Sequence, residues 1–374
     1  MPYVKISPPT GPLNVFYSIS TPLHHDADAI IPGIPTILFI HPVYMPQQIF
    51  EAQFSDRHLR QCNLVAYDMR SHGETEGKIG DAKYLPAEDA FHFMEAIGLP
   101  ACHLFGLSIG CCVALELAAR HPDRVLSLTL CSPLSPVESE DVATGRMEVH
   151  EEWSNGTLLP GRLIEQVADI VEHVATIEFA IENDAIVGVK QLAFNNEMDD
   201  LTSAITESSI AQGQHHWLGT PERSREAYRC VIQWPLERKA LTNEELARIK
   251  VPTAIIHCDE DYVYPIENAQ ALATMLEEAG VPVALFEAPG PHYGCVAGAE
   301  VVNSVLLDVV SSCYDSSIFS NVSVKAETVG DVLRTPFQER LAKFDYIPQS
   351  DPFEIHASDL SDSGLDTELR KVSA

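Results

Sequence analysis

Short apolar segments and amphipathic segments follow one another through the N-terminal part of the chain. Two alternating runs, residues 3–7 and 13–20, flank the turn sequence PPTGP and predict a starting β-hairpin. The apolar, β-branched stretches PTILFIHP and NLVAYDMR each predict a buried strand. Residues 84–97 carry apolar side chains at helical spacing, and Gly98 is a typical helix C-cap. The pattern therefore predicts strands and helices in turn.

The same alternation continues further along the chain. CHLFGLS predicts a strand, IGCCVALELAARH a helix and RVLSLTLCSP another strand. After an interruption it resumes with a strand over 251–258, a helix over 266–279, a strand over 281–288 and a helix over 296–313. Strict alternation of this kind is typical of an α/β protein with a doubly wound, mostly parallel sheet and helices on both faces.

The interruption covers residues 135–248, which contain helical, polar-rich stretches and no clear strand pattern. Because this segment lies between strands of one sheet, it predicts a helical cap inserted into the core. The core is then formed by residues 1–134 and 249–313.

Residues 314–374 differ in composition from the rest of the chain. Ser, Asp and Pro dominate, as in SDLSDSGLDTELRK, and this predicts an acidic C-terminal extension that is partly disordered. Residues 327–345 form the exception, because Phe337, Leu341 and Phe344 share one helical face. We expect one helix there, docked on the body or on the cap, whereas residues from about 348 onward are expected to contribute little to folding.

Charge and composition narrow the range of partners. The formal net charge is −30, and a field of that sign repels phosphate backbones and anionic lipid surfaces. No apolar run reaches the length of a membrane span, and MPYVKISPPT lacks the layout of a signal peptide. Nine cysteines without regular spacing fit a reducing compartment. The sequence therefore predicts a cytoplasmic protein that binds neither nucleic acid nor membrane.

Ser108 lies in the sequence GLSIG, between a predicted strand and a predicted helix. Gly and Ser are ordinary turn residues, so a plain turn is one interpretation. The other is the G-x-S-x-G nucleophile elbow, whose required context is this order of strand, turn and helix. The glycines on either side allow the tight bend, and the helix N-terminus favours developing negative charge. We favour the elbow.

Acidic and histidine side chains follow the next two predicted core strands. HCDEDYVYP places Asp259, Glu260 and Asp261 after one strand, and PGPHYG places His292 after the next. Carboxyl ends of parallel strands meet at one edge of a sheet, where active groups collect. The chain order Ser, acid, His matches that of one fold that carries a catalytic triad.

Taken together, these stretches resemble the α/β-hydrolase fold family over residues 1–313. HPVY (41–44) is similar to the oxyanion-loop segment of the family, and YDMRSHGETEG (67–77) is similar to its Asp-x-Arg-Gly-His-Gly-x-Ser stretch. GLSIG and the acid and histidine loops complete the likeness. The resemblance implies an eight-stranded type of sheet and points to the capped branch with a serine nucleophile. That branch includes esterases, enol-lactonases, meta-cleavage-product hydrolases and cofactor-free haloperoxidases.

The resemblance also implies roles for single residues. Ser108 would attack a carbonyl carbon, and His292 would act as general base. Asp261 would orient His292, with Asp259 and Glu260 as alternatives. Two backbone N–H groups would bind the oxyanion.

Those two N–H groups are expected to belong to Ile109 and Val43. Pro42 stands where the family has glycine, and because proline has no N–H, the second donor must come from a neighbour.

The expected ligand is a small, largely apolar carbonyl compound, with no cofactor and no metal. Tyr44, Trp153 and Trp217 are candidate substrate-binding residues, as are, less directly, His150, His215 and His216. Adjacent histidine pairs such as His215–His216 do not have metal-ligand spacing.

Three functions remain open at this point. The first is hydrolysis of an ester or lactone through an acyl-enzyme. The second is C–C bond hydrolysis of a vinylogous diketone of the meta-cleavage-product type, which uses the same triad. The third is a non-enzymatic scaffold on the same fold, which the acidic extension favours and the presence of all three triad residue types disfavours.

Overall fold

The computed structural model describes residues 2–80, 82–156, 184–218, 220–315, 317–320, 322–329 and 332–348. Its strands are β1 (Tyr3–Ile6), β2 (Leu13–Ser20), β3 (Thr36–Ile40), β4 (Asn63–Tyr67), β5 (Glu76–Gly77), β6 (Cys102–Leu107), β7 (Val125–Cys131), β8 (Thr253–Cys258), β9 (Val283–Ala288), β10 (Thr328–Val329) and β11 (Val332–Leu333).

The helices fall into three groups. The longer α-helices are Pro86–Ala96, Ile109–Arg120, Glu140–Gly156, Asp184–Phe194, Asp200–Trp217, Ile266–Glu278 and Ala299–Ser311. Short α-helices are Glu51–Phe54, Pro221–Ala227, Trp234–Glu237, Asn243–Leu246 and Gln338–Leu341. The segment Tyr228–Gln233 is π-helical, and 3₁₀ turns are Gln47–Phe50, Leu59–Gln61, Pro122–Arg124 and Ala342–Phe344. None of the helices in the described ranges is both long and apolar enough to span a bilayer.

One nine-stranded sheet organises the molecule. Its order is β1-β2-β4-β3-β6-β7-β8-β9, with the two-residue β5 paired to β2. From β4 to β9 along this order all neighbours are parallel, whereas β1 and β2 are antiparallel. The predicted mostly parallel α/β sheet is therefore confirmed, with β5 as one short strand beyond the eight expected.

Apolar side chains cover both faces of the sheet, as in a doubly wound fold. In β3, Leu38 and Ile40 belong to the core on one face, and Ile37 and Phe39 belong to the core on the other. Successive residues of a strand point to opposite faces, so a strand buried on both sides reads as a continuous apolar run. This explains why PTILFIHP carries no polar alternation.

The helical insertion leaves the sheet between β7 and β8. These two strands are neighbours, with Leu130 opposite Ile255, although the helices from Glu140 to Leu246 separate them in the chain. Every regular element in the described part of this insertion is a helix. The insertion begins and ends at the carboxyl end of β7 and the amino end of β8.

The C-terminal segment differs from the single helix predicted for residues 327–345. It forms the β10–β11 pair, then the short helices Gln338–Leu341 and Ala342–Phe344. Pro336 explains the break, because a proline removes an N–H donor and disfavours a helical conformation in the residue before it. Residues 349–374 lie outside the described residues.

Glu51 anchors this segment to the core. Its carboxylate is 1% exposed and accepts hydrogen bonds from Thr335 Oγ1 and from Gln338 Nε2, the latter at 3.1 Å. Arg60 Nη1 donates to the Arg334 carbonyl at 2.9 Å. Phe337 packs on Phe54 with ring centroids 4.9 Å apart. Burial raises the pKa of Glu51 to about 7, although the hydrogen bonds that its carboxylate accepts lower the pKa in part.

We predict that Phe337→Ala lowers the free energy of unfolding by about 3–5 kcal/mol, the usual cost of removing a buried aromatic side chain. Phe337 is 4% exposed, whereas Ile347, ten residues further on, is 71% exposed. Ile347→Ala is therefore the matched control and is expected to change stability by less than about 0.5 kcal/mol. Urea unfolding of both variants measures the difference, and equal effects would show that Phe337 does not hold the segment in place.

The raised pKa of Glu51 predicts a pH-dependent stability. Between its ordinary value of 4.5 and its folded value of about 7, the folded protein keeps a proton that the unfolded chain has released. The contribution of Glu51 to the free energy of unfolding is therefore fully present below about pH 4.5 and is lost as the pH rises through about 7.

Glu51→Gln should remove this dependence. The difference in unfolding free energy between wild type and variant should shift by about 3 kcal/mol from pH 4.5 to pH 8, in favour of the variant at high pH. The exposed Glu277→Gln serves as control. A difference that stays constant across this range would contradict the proposed titration.

Candidate active site

Ser108 occupies a sharp turn between β6 and the helix Ile109–Arg120. Its backbone angles are φ 56° and ψ −117°, a conformation that side-chain-bearing residues rarely adopt. Such strain costs about 1–3 kcal/mol and persists only where the surroundings enforce it. Here the Ser108 N–H donates to the Cys131 carbonyl at 2.9 Å, and its carbonyl accepts from the Cys111 N–H at 2.9 Å.

The two glycines of the motif permit this turn for steric reasons. A Cβ atom on Gly110 would lie 2.1 Å from the Ile40 carbonyl oxygen, so no side chain fits between the helix and β3. A Cβ on Gly106 would lie 2.6 Å from the Gly110 carbonyl oxygen. The helix can therefore begin directly against the sheet, with the serine at its N-terminus.

Three predicted residues meet at this turn. His292 Nε2 lies 2.8 Å from Ser108 Oγ, and His292 Nδ1 lies 2.5 Å from Asp261 Oδ2. All three side chains are buried, with Ser108 and His292 each 1% exposed. Because a carboxylate only accepts hydrogen bonds, Nδ1–H donates to Asp261, and Nε2 is left to accept the serine proton.

The structure separates Asp261 from its two acidic neighbours. The second oxygen of Asp261 accepts the N–H groups of Tyr264 at 2.9 Å and Val263 at 3.2 Å. Asp259 and Glu260 are exposed, and Asp259 instead accepts the Gly290 N–H at 3.1 Å. Asp259 therefore shapes the loop that carries His292 but does not contact the imidazole.

Hydrogen bonds hold the loop that carries Val43 from several sides. The Val43 carbonyl accepts from Tyr293 Oη at 2.7 Å. His41 Nδ1–H donates to the Pro42 carbonyl at 2.6 Å, and His41 Nε2 accepts the Met69 N–H at 2.8 Å. Ile109 is the first residue of its helix, so its N–H has no acceptor within that helix. Hydrogen bonds thus fix the backbone around Val43, and Ile109 directly follows Ser108 in the chain.

Asp68 links the same loop to the stretch after β4. It is 1% exposed, and its two oxygens accept the N–H groups of Gln47 at 3.1 Å and Glu74 at 2.9 Å. Burial raises its pKa to about 6. His72, four residues further on, accepts the Tyr44 N–H at 3.4 Å, and burial lowers its pKa to about 4. His72 is therefore neutral and can act as an acceptor.

An apolar pocket lies between this loop and the cap. Its cavity volume is about 50 Å³, and Tyr44, Trp153 and Trp217 all line it. The Tyr44 and Trp217 ring centroids are 6.0 Å apart, and those of Trp153 and Trp217 are 5.7 Å apart. The three residues named as substrate-binding candidates therefore form one aromatic surface.

The three remaining candidate histidines of the cap differ in their surroundings. His150 lines the pocket, whereas His215 is exposed and contacts Glu76 at 3.2 Å, and His216 donates to the Gly73 carbonyl at 2.6 Å. One ligand atom each from Glu76, His215 and His216 come within 4.8 Å of one another. The prediction from sequence spacing therefore does not hold for this pair, because both histidines lie close to Glu76. In this structure, however, His215 contacts Glu76 and His216 contacts the Gly73 carbonyl.

A buried charge cluster beside the site was not expected from sequence. Glu138 lies between Arg146 and Arg238, at 3.3 Å from Arg146 Nε and 2.8 Å from Arg238 Nη1. Tyr264, whose ring is 4.9 Å from that of His292, donates to Glu138 at 2.9 Å. No motif marks these residues, because the contacts join the cap to the acid loop across the fold.

Comparison with known proteins agrees with the fold. A family model described as alpha/beta hydrolase fold matches residues 30–280. The chain is 25% identical over 283 residues to a non-heme haloperoxidase from Rhodococcus erythropolis, covering 74% of this chain and 92% of that protein. It is 26% identical over 213 residues to 3-oxoadipate enol-lactonase 1 from Acinetobacter baylyi, covering 56% of this chain and 65% of that protein.

A solved structure shares the fold at lower sequence identity. The enol-lactonase from Burkholderia xenovorans LB400 superposes with a TM-score of 0.57 at 17% identity, covering 83% of this chain and 100% of that one. At this identity the likeness shows the arrangement of the backbone alone.

The geometry predicts which acid supports His292. Asp261→Asn should lower the rate at which a fluorophosphonate modifies Ser108 by about 10²–10⁴-fold, because the amide no longer holds the imidazole in its reactive tautomer. Asp259→Asn is the matched control and should change that rate by less than about tenfold. Labelling kinetics followed by peptide mass mapping measure both variants, and a reversed order would reject the assignment of Asp261.

Proposed function

The chain belongs to the α/β-hydrolase fold family, and we propose that it is a serine hydrolase that cleaves a carboxylic ester or lactone. One observation carries the proposal: the unbroken series of hydrogen bonds from Asp261 through His292 to Ser108. This series lies at the carboxyl edge of the sheet, where α/β proteins place their reactive groups. The named enol-lactonase activity of one relative supports the lactone alternative.

In the proposed reaction, Ser108 Oγ attacks the carbonyl carbon of the substrate. His292 Nε2 takes the serine proton as the bond forms, and then delivers it to the leaving alkoxide. Asp261 keeps the proton on Nδ1 and stabilises the transient imidazolium. Water then attacks the acyl-enzyme by the same route, which returns Ser108 and releases the acid.

The N–H groups of Ile109 and Val43 are proposed to bind the oxyanion of the tetrahedral intermediate. Both belong to backbone that is fixed before the substrate arrives, so little reorganisation is needed as charge develops. The N-terminus of the helix Ile109–Arg120 adds a favourable field at the same point. Pro42 contributes no donor, which leaves the amide of Val43 as the nearest one in that loop.

The cap is proposed to bind the apolar part of the substrate. Its pocket is lined almost wholly by aromatic and aliphatic side chains, among them Trp153, Val189 and Ile232. Apolar burial there would remove water from the carbonyl group and strengthen the electrostatic contacts around it. We therefore keep the small, largely apolar carbonyl compound expected from sequence as the proposed substrate.

Hydrolysis of p-nitrophenyl butyrate tests the proposal. Ser108→Ala should lower kcat by at least about 10⁴-fold, because no other group supplies the nucleophile. Ser127→Ala is the matched control, because it also removes a buried serine hydroxyl that is hydrogen-bonded to a histidine. This pair, Ser127 and His103 at 2.8 Å, lies within strands β7 and β6. Its rate should stay within about threefold of wild type. Undiminished hydrolysis by folded Ser108→Ala protein would reject the mechanism.

A further inference from the structure

The C-terminal end of the cap helix Asp200–Trp217 contacts the core segment that follows β4. Trp217 Nε1 donates to the Ser71 carbonyl at 2.6 Å. His215 Nε2 lies 3.2 Å from Glu76 Oε1. Glu76 belongs to β5, the short strand that pairs with β2. Side chains of the cap therefore meet a carboxylate of the sheet at this junction.

Three side chains of metal-binding type come together there. One ligand atom each from Glu76, His215 and His216 lie within 4.8 Å of one another, the one such group of three in the part of the chain that the structure describes. Two ligand atoms on a tetrahedral zinc ion, each about 2.0–2.1 Å from it, are about 3.3–3.4 Å apart. His215 and Glu76, at 3.2 Å, already have nearly this separation. Both side chains are more than half exposed, so small rotations would close the remaining distance to His216.

The two imidazole rings are arranged as they would be around a single ion. Their centroids lie 5.0 Å apart, and their planes are inclined by 83°. The centre of an imidazole ring lies about 1.1 Å beyond its ligand nitrogen, so two rings bound to one tetrahedral zinc ion have centroids about 5 Å apart. The pair formed by His215 and His216 therefore has the spacing of two ligands of one metal.

The tautomer of His216 also suits a metal ligand. Its Nε2–H donates to the Gly73 carbonyl at 2.6 Å. Because a carbonyl oxygen only accepts, Nε2 carries the proton and Nδ1 carries the lone pair. Histidines that bind metal almost always donate their other ring N–H to a carbonyl, a carboxylate or water in this way. This hydrogen bond therefore leaves one nitrogen of His216 available to a metal.

The charges around the cluster favour a cation. Glu76 supplies a negative charge, and its side chain and that of His215 are 56% and 55% exposed, so a hydrated ion can reach both. The formal net charge of −30 attracts cations to the surface as a whole. Arg223 opposes this in part, since its Nη1 donates to the His215 carbonyl at 2.9 Å. That contact is with the main chain and leaves the imidazole nitrogens unused.

We propose that Glu76, His215 and His216 bind one divalent transition-metal ion of the zinc class. Two imidazole nitrogens and one carboxylate oxygen suit such an ion, whereas Ca²⁺ and Mg²⁺ prefer oxygen ligands alone. On binding, the proton of His215 moves from Nε2 to Nδ1, because the ligand nitrogen must be unprotonated. The ion would join the cap helix to β5 and hold Trp217, which lines the apolar pocket. The inference goes beyond the proposed function, since none of the three ligands belongs to the triad.

Competition between the full-length protein and a chromogenic zinc indicator tests the proposal. Wild type should take up Zn²⁺ from the indicator, and an excess of Ca²⁺ or Mg²⁺ should not displace it. Glu76→Gln and the double variant His215→Ala/His216→Ala should each weaken zinc binding by at least about tenfold, because even the loss of an outer partner of a metal ligand costs about 10- to 100-fold. Unchanged affinity in both variants would overturn the proposal.

The double variant His24→Ala/His25→Ala is the matched control. It also removes two adjacent histidines, of which His25 lies 3.8 Å from Glu327. Within the described residues, however, no group of three ligand atoms includes this pair. The control should bind zinc as wild type does. A loss as large as that of His215→Ala/His216→Ala would show that zinc binds nonspecifically to surface histidine pairs and would overturn the proposal.

Thermal melts test whether the ion joins the cap to the core. Zn²⁺ should raise the Tm of wild type more than that of Glu76→Gln or His215→Ala, because an ion that binds the folded state stabilises it. Zinc bound by the nine cysteines of the unfolded chain lowers the Tm alike in all three proteins, so the difference between them is the measure. Both substituted side chains are exposed, so the metal-free Tm should stay close to that of wild type. Equal zinc shifts in the three proteins would reject the junction site.

Discussion

The position of Ser108 depends on how closely the helix Ile109–Arg120 approaches β3. With hydrogen alone on Gly110, the helix begins next to the Ile40 carbonyl, where a methyl group would overlap an oxygen atom. Because protein interiors are close-packed, the helix cannot shift away from this contact, and its position fixes the turn that precedes it. The strained φ of Ser108 follows from it, as does the short reach to His292 on a separate loop.

Burial gives this arrangement its chemical consequence. Ser108 and His292 are almost fully enclosed, and the charge of Asp261 is matched by three donors before any substrate binds. In such surroundings a satisfied charge is held rigidly, and an unsatisfied donor is costly. Both oxygens of Asp261 are used within the protein, which suits a group that positions another.

The sequence predicts the core and the triad because both depend on local patterns. The apolar runs of the parallel strands, the glycines around Ser108 and the order Ser, acid, His are all readable along the chain. The choice of Asp261 over Asp259 came from the family resemblance, and the structure adds the physical reason: Asp259 is used to cap the His292 loop. The prediction of a single helix over residues 327–345 was wrong. Pro336 breaks the helix, and contacts with the buried Glu51 hold residues 332–344 in shorter elements. Arg146 escaped notice because its partners are distant in sequence and carry no motif.

The central claim is that Ser108 forms a covalent acyl intermediate, and trapping that intermediate tests it most directly. The protein would be incubated with p-nitrophenyl pivalate, whose bulky acyl group slows attack by water, then quenched in acid and mapped by peptide mass spectrometry. The account predicts a pivaloyl adduct on the peptide that contains Ser108, formed in a burst equal to the enzyme concentration. Release of nitrophenol with the adduct on another residue, such as the half-buried Cys112, or with no adduct at all, would contradict it.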